Sequence, residues 1–119
     1  MDYKSQITGF GPLALDFLGE DMIIVFNDNA PSELAELSVL HRESPVDRDI
    51  RAGDVVIFGD YSYVVTAVGE EANRTFRTMG HCTFKFTGKE QTELPGHIEL
   101  SGQELPVMKI GDLLEIIFT

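Results

Sequence analysis

Short runs of β-branched and aromatic residues, each closed off by Gly, Pro, Asn or Asp, set the tightest limit on how this chain folds. Met22-Ile23-Ile24-Val25-Phe26, Val55 to Phe58, Tyr61 to Val68, Cys82 to Phe86, His97 to Leu100 and Leu113 to Phe118 all have this form. Six strands are therefore a minimum. Gly59-Asp60 separates two of the runs and suits a tight hairpin turn, because glycine accepts the positive φ such turns require. Gly53-Asp54 and Gly111-Asp112 repeat one turn chemistry at the opening of a strand.

Two segments read as short helices. In Asn29 to Leu37, Pro31 fits an early helical position, Ser32 or Asn29 can cap, and Glu33 complements the helix dipole. The stretch from Glu70 to Met79 starts acidic, carries Arg74 and Arg77 later, and stops at Gly80. Strands joined by short helices predict an all-β fold: a closed or nearly closed β-barrel of about seven strands with one or two short connecting helices. Closure removes exposed sheet edges. A sandwich is the remaining arrangement. The chain's 119 residues match the usual size of one domain, expected to span 1–119.

Side chains alternate across a strand, which assigns faces. Cys82, Phe84 and Phe86 share a core face, with His81, Thr83 and Lys85 opposite. Ile98 and Leu100 point inward, and His97 and Glu99 point out. Val39, His41 and Glu43 lie on one side, opposite Leu40 and Arg42.

Charge narrows the partners. Nine basic against twenty acidic residues give a formal charge of −11, which repels nucleic acid and anionic membrane surfaces. The same charge favours encounter with a basic protein patch, or simply keeps the protein soluble. The apolar runs are too short to span a bilayer, so no membrane insertion is expected. The MDYKSQ start lacks the basic flank and apolar stretch of a secretion signal. A lone cysteine, Cys82, fits a reducing compartment. These features predict a cytoplasmic protein.

No Gly-rich phosphate loop, G-x-S-x-G elbow, H-E-x-x-H or Cys-x-x-Cys is present. Cys82 and His81 are neighbours in a strand, so their side chains diverge and Cys82 reads as structural. The histidines stand at 41, 81 and 97, and none has a second within a helical turn. A neutral imidazole can attack phosphorus through one nitrogen while the other holds the proton. His41 follows the first helix, with Arg42 adjacent and Ser38 and Ser44 as nearby donors. His97 is the weakest candidate, on a strand face expected to be exposed. On residue chemistry alone each histidine also reads as an ordinary polar residue.

The chain as a whole adds what spacing does not. The residues that carry a family likeness run from Met22-Ile23-Ile24-Val25-Phe26 through Ala30-Pro31-x-x-Leu34, Leu40-His41, Tyr63-x-Val65-Thr66-Ala67-Val68-Gly69 and Asn73. They continue through Gly80-His81-x-Thr83-x-Lys85-Phe86-x-Gly88 and Pro95-Gly96. In this order and spacing the chain resembles the glucitol/sorbitol-specific IIA component of the bacterial phosphoenolpyruvate-dependent sugar phosphotransferase system, over nearly its full length. The resemblance implies a β-barrel phosphotransferase that takes a phosphoryl group from the phosphohistidine of HPr and passes it to the IIB unit of a IIB/IIC sugar transporter. It implies His41 as the phosphorylated residue and Gly80-His81 as a supporting pair, His81 being the alternative acceptor. No cofactor and no metal are expected. Sugar specificity rests on the resemblance alone.

In the mechanism these residues suggest, neutral His41 attacks the donor phosphorus, with Arg42, Ser38 or Thr66 steadying the oxygens. Arg42 falls on the face opposite His41 if the segment is a strand, which makes its role the weak part. His41 is expected to be partly exposed at the barrel rim, so that a partner's residue can reach it. The rival from another class is a non-enzymatic binding or regulatory barrel with an acidic docking face. A metal-dependent three-histidine enzyme stands third.

Overall fold

The computed structural model describes residues 2–119. Strand β1 (Tyr3–Phe10) leads through a 3-10 helix (Ala14–Glu20) to β2 (Met22–Asn27). Helix α1 (Ser32–Ala35) and β3 (Val39–His41) follow, then the hairpin of β4 (Val55–Phe58) and β5 (Tyr61–Val68). Helix α2 (Ala72–Met79), β6 (Cys82–Lys85), β7 (His97–Ser101) and β8 (Leu113–Ile117) complete the order. The eight strands close into a barrel in the sequence β1-β3-β2-β6-β7-β5-β4-β8, with β8 pairing back onto β1. The pairs β2·β3 and β6·β7 are parallel, and the others are antiparallel.

The expected barrel is borne out, with eight strands. The Gly59-Asp60 hairpin forms, pairing Phe58 with Tyr61. Gly53 and Gly111 both turn with φ of 98° ahead of β4 and β8, so the repeated Gly-Asp signal marks one turn used twice. Helix α2 stops where expected, with Gly80 left-handed at its C-cap and its N–H on the Phe76 carbonyl. Helix α1 is shorter than the pattern suggested. Pro31 occupies its N-cap position and no side chain caps it, while Asn29 donates to Glu43 instead.

Inward residues of every strand fill the interior, with Ile23, Val56, Phe58, Phe84, Ile98, Leu100 and Ile116 fully buried. Phe58 meets Phe84 edge to face at 5.4 Å. Cys82 and Phe84 are buried as the alternation requires, and burial pushes the Cys82 thiol well up. Phe86, just past the strand, packs against the core from its edge.

The outer face of β7 departs from expectation. His97 and Glu99 alternate away from the core, yet both are buried. The connection between β6 and β7 folds back over them: the Thr87 hydroxyl and the Lys89 N–H both donate to Glu99 Oε1. A loop, not solvent, covers that face.

Candidate functional site

His41 ends β3, paired with Ile7 of β1 on one side and Asn27 of β2 on the other. Alternation turns Val39 and His41 inward and Leu40 outward. The inner face of β1 presents Tyr3, Ser5 and Ile7, and the Tyr3 and Ser5 side chains meet the histidine ring. Helix α2 packs over this end of the barrel, with Phe76 5.1 Å from Tyr3 and 6.2 Å from His41, ring to ring.

The expected exposure of His41 at the rim is not found: the residue is 0% exposed. The inward face of β3 and the cover supplied by α2 together explain the burial, and they stand against direct attack from the resting conformation. Burial lowers the His41 pKa below its ordinary value, against the opposing pull of the Gly80 and Arg42 carbonyls and of Asp28.

Both ring nitrogens have polar partners. Nε2 lies 2.8 Å from the Gly80 carbonyl. Nδ1 lies 3.0 Å from Ser5 Oγ and 3.1 Å from the Arg42 carbonyl, with the Tyr3 hydroxyl at 3.5 Å. Ser5 Oγ itself donates to the Arg42 carbonyl at 2.5 Å. Desolvation raises the Tyr3 hydroxyl to about 12, so it stays protonated.

Gly80 separates the ring from a groove of about 300 Å³, whose polar lining comes from Asn27, Glu43, Ser44, Arg77 and Thr78 and whose apolar lining comes from Phe76 and Pro45. A Cβ on Gly80 would come within 2.0 Å of Asn27 Oδ1 and 2.8 Å of His41 Cε1. Glycine is required there by close approach as well as by its φ of 61°. Arg77 brings positive charge to the groove and is paired with Asp49.

His81 follows directly. It is half-buried, stacks on Phe26 at 4.6 Å, and its Nδ1 lies 3.1 Å from the Val25 carbonyl. A carbonyl only accepts, so this contact calls for N–H on Nδ1, which in the neutral tautomer puts the lone pair on Nε2.

The other supporting residues scatter. The Arg42 side chain is exposed, and only its main-chain carbonyl touches His41. Ser38 is buried and donates to the Leu34 carbonyl, which ties off α1. Thr66 sits in a bulge of β5 and bonds the Lys89 and Glu99 carbonyls, four strands around the barrel from β3. Ser44, noted beside His41 in the sequence, lines the groove. Among the described residues no group of three or more His, Cys, Asp or Glu is placed to hold a metal ion.

Tyr3, Ser5, Asn27 and Arg77 are the site neighbours that sequence reasoning missed. The alternation Tyr3-x-Ser5-x-Ile7 was the available signal for β1. Nothing local marked Asn27 or Arg77, which reach the groove only through strand pairing and the seating of α2.

Comparison with known proteins places this arrangement. Residues 2–115 match the family described as the PTS system glucitol/sorbitol-specific IIA component. The PTS system glucitol/sorbitol-specific EIIA component of Escherichia coli (strain K12) is 34% identical over 100 residues, which is 84% of this chain and 81% of that protein. The protein of the same description from Shigella flexneri matches to the same extent. A crystal structure of a PTS system IIA component from Enterococcus faecalis V583 superposes with a TM-score of 0.83 at 24% identity, covering 97% of this chain and 99% of that one. At that identity the superposition speaks for the fold.

Proposed function

The chain belongs to the glucitol/sorbitol-specific IIA family of the phosphotransferase system, and from that premise we propose that His41 carries the phosphoryl group, attacking through Nε2. The family's members are phosphotransferases, and the chain is a sugar-system phosphocarrier. In this reading its donor is the phosphohistidine of HPr, its acceptor the IIB unit of the transporter, its sugar glucitol, and its compartment the cytosol.

The observation that carries the reading is the placement of the two nitrogens. A proton on Nδ1 has the Arg42 carbonyl within 3.1 Å to accept it, and Nε2, which in the resting fold faces the Gly80 carbonyl at 2.8 Å, is on the side of the groove that Gly80 lines. With the proton on Nδ1, Nε2 holds the lone pair. The donor's N–P bond breaks as the Nε2–P bond forms, and the donor imidazole leaves with its electron pair. No metal or nucleotide enters that balance. Arg77, Ser44 and Thr78 line the groove and take over the role first given to Arg42, Ser38 and Thr66, steadying the phosphoryl oxygens. Because His41 is buried, the Gly80 turn must swing aside when the donor docks.

The greater exposure of His81, with its lone pair already on Nε2, favours a second reading in which His81 is the acceptor. Incubation with phosphoenolpyruvate, enzyme I and HPr separates the two. The His41→Gln protein should take up no acid-labile label, and the His81→Gln protein should take it up. The reverse pattern would move the acceptor to His81. Absence of label in the unaltered protein would leave an acidic binding barrel.

A further inference from the structure

The hydroxyl of Ser5 has no part in the transfer as described, yet it touches both groups that fix the Nδ1 proton. Resting on the reading of His41 as acceptor, we infer that Ser5 is a positioning residue, which holds the proton on Nδ1 and thereby makes Nε2 the nucleophile.

Ser5 is buried on the inner face of β1. Its Oγ donates to the Arg42 carbonyl at 2.5 Å and lies 3.0 Å from Nδ1. A serine hydroxyl has one proton. Once that proton is committed to the Arg42 carbonyl, the face turned to Nδ1 is a lone pair. Nδ1 then meets two near acceptors, Oγ at 3.0 Å and the carbonyl at 3.1 Å, and both demand N–H, while the Tyr3 hydroxyl stands farther off at 3.5 Å. Nε2 in turn faces the Gly80 carbonyl, which also demands N–H.

A buried, neutral ring has one proton for two such demands. Phosphoryl transfer resolves the conflict. When the Gly80 carbonyl withdraws, the demand at Nε2 disappears, the proton settles on Nδ1, and Nε2 is free to attack. The product ring carries phosphorus on Nε2 and hydrogen on Nδ1 and is formally cationic. Ser5 and the Arg42 carbonyl then stabilise it by charge-assisted hydrogen bonds. On return transfer to the next carrier the N–P bond breaks, and the ring leaves as neutral imidazole with its Nδ1 proton kept.

Removing one acceptor from the cationic ring favours loss of the Nδ1 proton. Ser5→Ala should therefore slow phosphoryl uptake from phospho-HPr by about tenfold, the size of one such hydrogen bond, and move the alkaline limb of the pH profile to lower pH. Ser5→Thr, which keeps the hydroxyl, should restore both. A role in packing alone would not move the pH limb. In the unaltered phosphoprotein, ¹⁵N spectra should show Nδ1 protonated at neutral pH, a readout that needs no variant to fold. An unprotonated Nδ1 there, or an uptake rate and pH profile in Ser5→Ala equal to the parent's, would overturn the inference. Loss of label in His41→Gln would still stand in that case. Label retained in His41→Gln would instead remove the reading beneath it.

Discussion

Burial holds two histidines below their ordinary pKa: at His41 desolvation outweighs the Gly80 and Arg42 carbonyls, and at His97 desolvation acts together with Lys85 against Glu93 and Glu99. A histidine depressed in the fold but ordinary in the unfolded chain gives the unfolded state the larger share of protons below pH 6.5. Stability then drops as pH falls from about 6.5 toward the folded value and levels off below it. Asp54 contributes in a separate window. Burial would raise it, but hydrogen bonds from the Thr119 and Arg51 N–H groups and the charge of Arg48 lower it. That contribution is present above about pH 3.8 and lost on further acidification. Urea titrations should show a fall that begins below about pH 6.5 and is shallower in His97→Gln, and a second fall near pH 4 that flattens in Asp54→Asn. A profile unchanged by His97→Gln would mean that His97 is not held neutral. Alternation alone placed His97 on the outer face of its strand and His41 opposite Leu40 and Arg42. It could not give burial, because a loop covers the outer face at residue 97 and a helix covers the end of the barrel at residue 41.

Helix α2 is the element on which the site turns. Its stop was readable from Met79-Gly80, since a left-handed cap wants glycine. What the stop does was not readable, because the closeness of Gly80 to Asn27 and His41 arises from strands distant in sequence. Gly80→Ala must both hold φ at 61° and fit a methyl group 2.0 Å from Asn27 Oδ1. The expected cost is about 2–3 kcal/mol, from backbone strain and overpacking together. At Gly111, where φ is 98° and no atom lies within 4 Å of the added carbon, alanine meets strain alone and should cost about 1 kcal/mol. Chemical denaturation compares them, and equal losses would mean that the cap region is loosely packed. Strands β1 and β3 fall outside the six strand runs for a related reason. β3 has only three residues, and β1 mixes Lys4, Ser5, Gln6 and Thr8 among its apolar positions, so neither forms the dense β-branched run that marked the other six.

At the scale of the molecule, charge is unevenly spread. The stretch from Ser5 to His41 contains Asp16, Glu20, Asp21, Asp28, Glu33 and Glu36 and neither lysine nor arginine. All six carboxylates are exposed. Leu13, Leu15 and Leu34, each more than 40% exposed, belong to the same stretch, which also forms a groove lined by Gly11, Pro12, Glu33, Ala35, Glu36 and Leu40. Leu40 is the neighbour of His41 on β3, so this acid-rimmed apolar face lies on the outer side of the strand whose inner side carries His41. Such a face suits brief association with a basic carrier: apolar contact supplies affinity, and the carboxylate field speeds encounter. Raising salt from about 50 to 500 mM shrinks the screening length from roughly 14 to 4 Å and removes most of that field. Phosphoryl uptake at limiting HPr should slow by about tenfold over this range, through the association rate. Glu33→Lys with Glu36→Lys should reproduce much of the loss at low salt and blunt its salt dependence, with thermal stability nearly unchanged because both side chains are exposed. If the double variant keeps the parent's rate and salt dependence, the carrier approaches from another side, and the long-range attraction belongs to the net charge of −11 and not to this face.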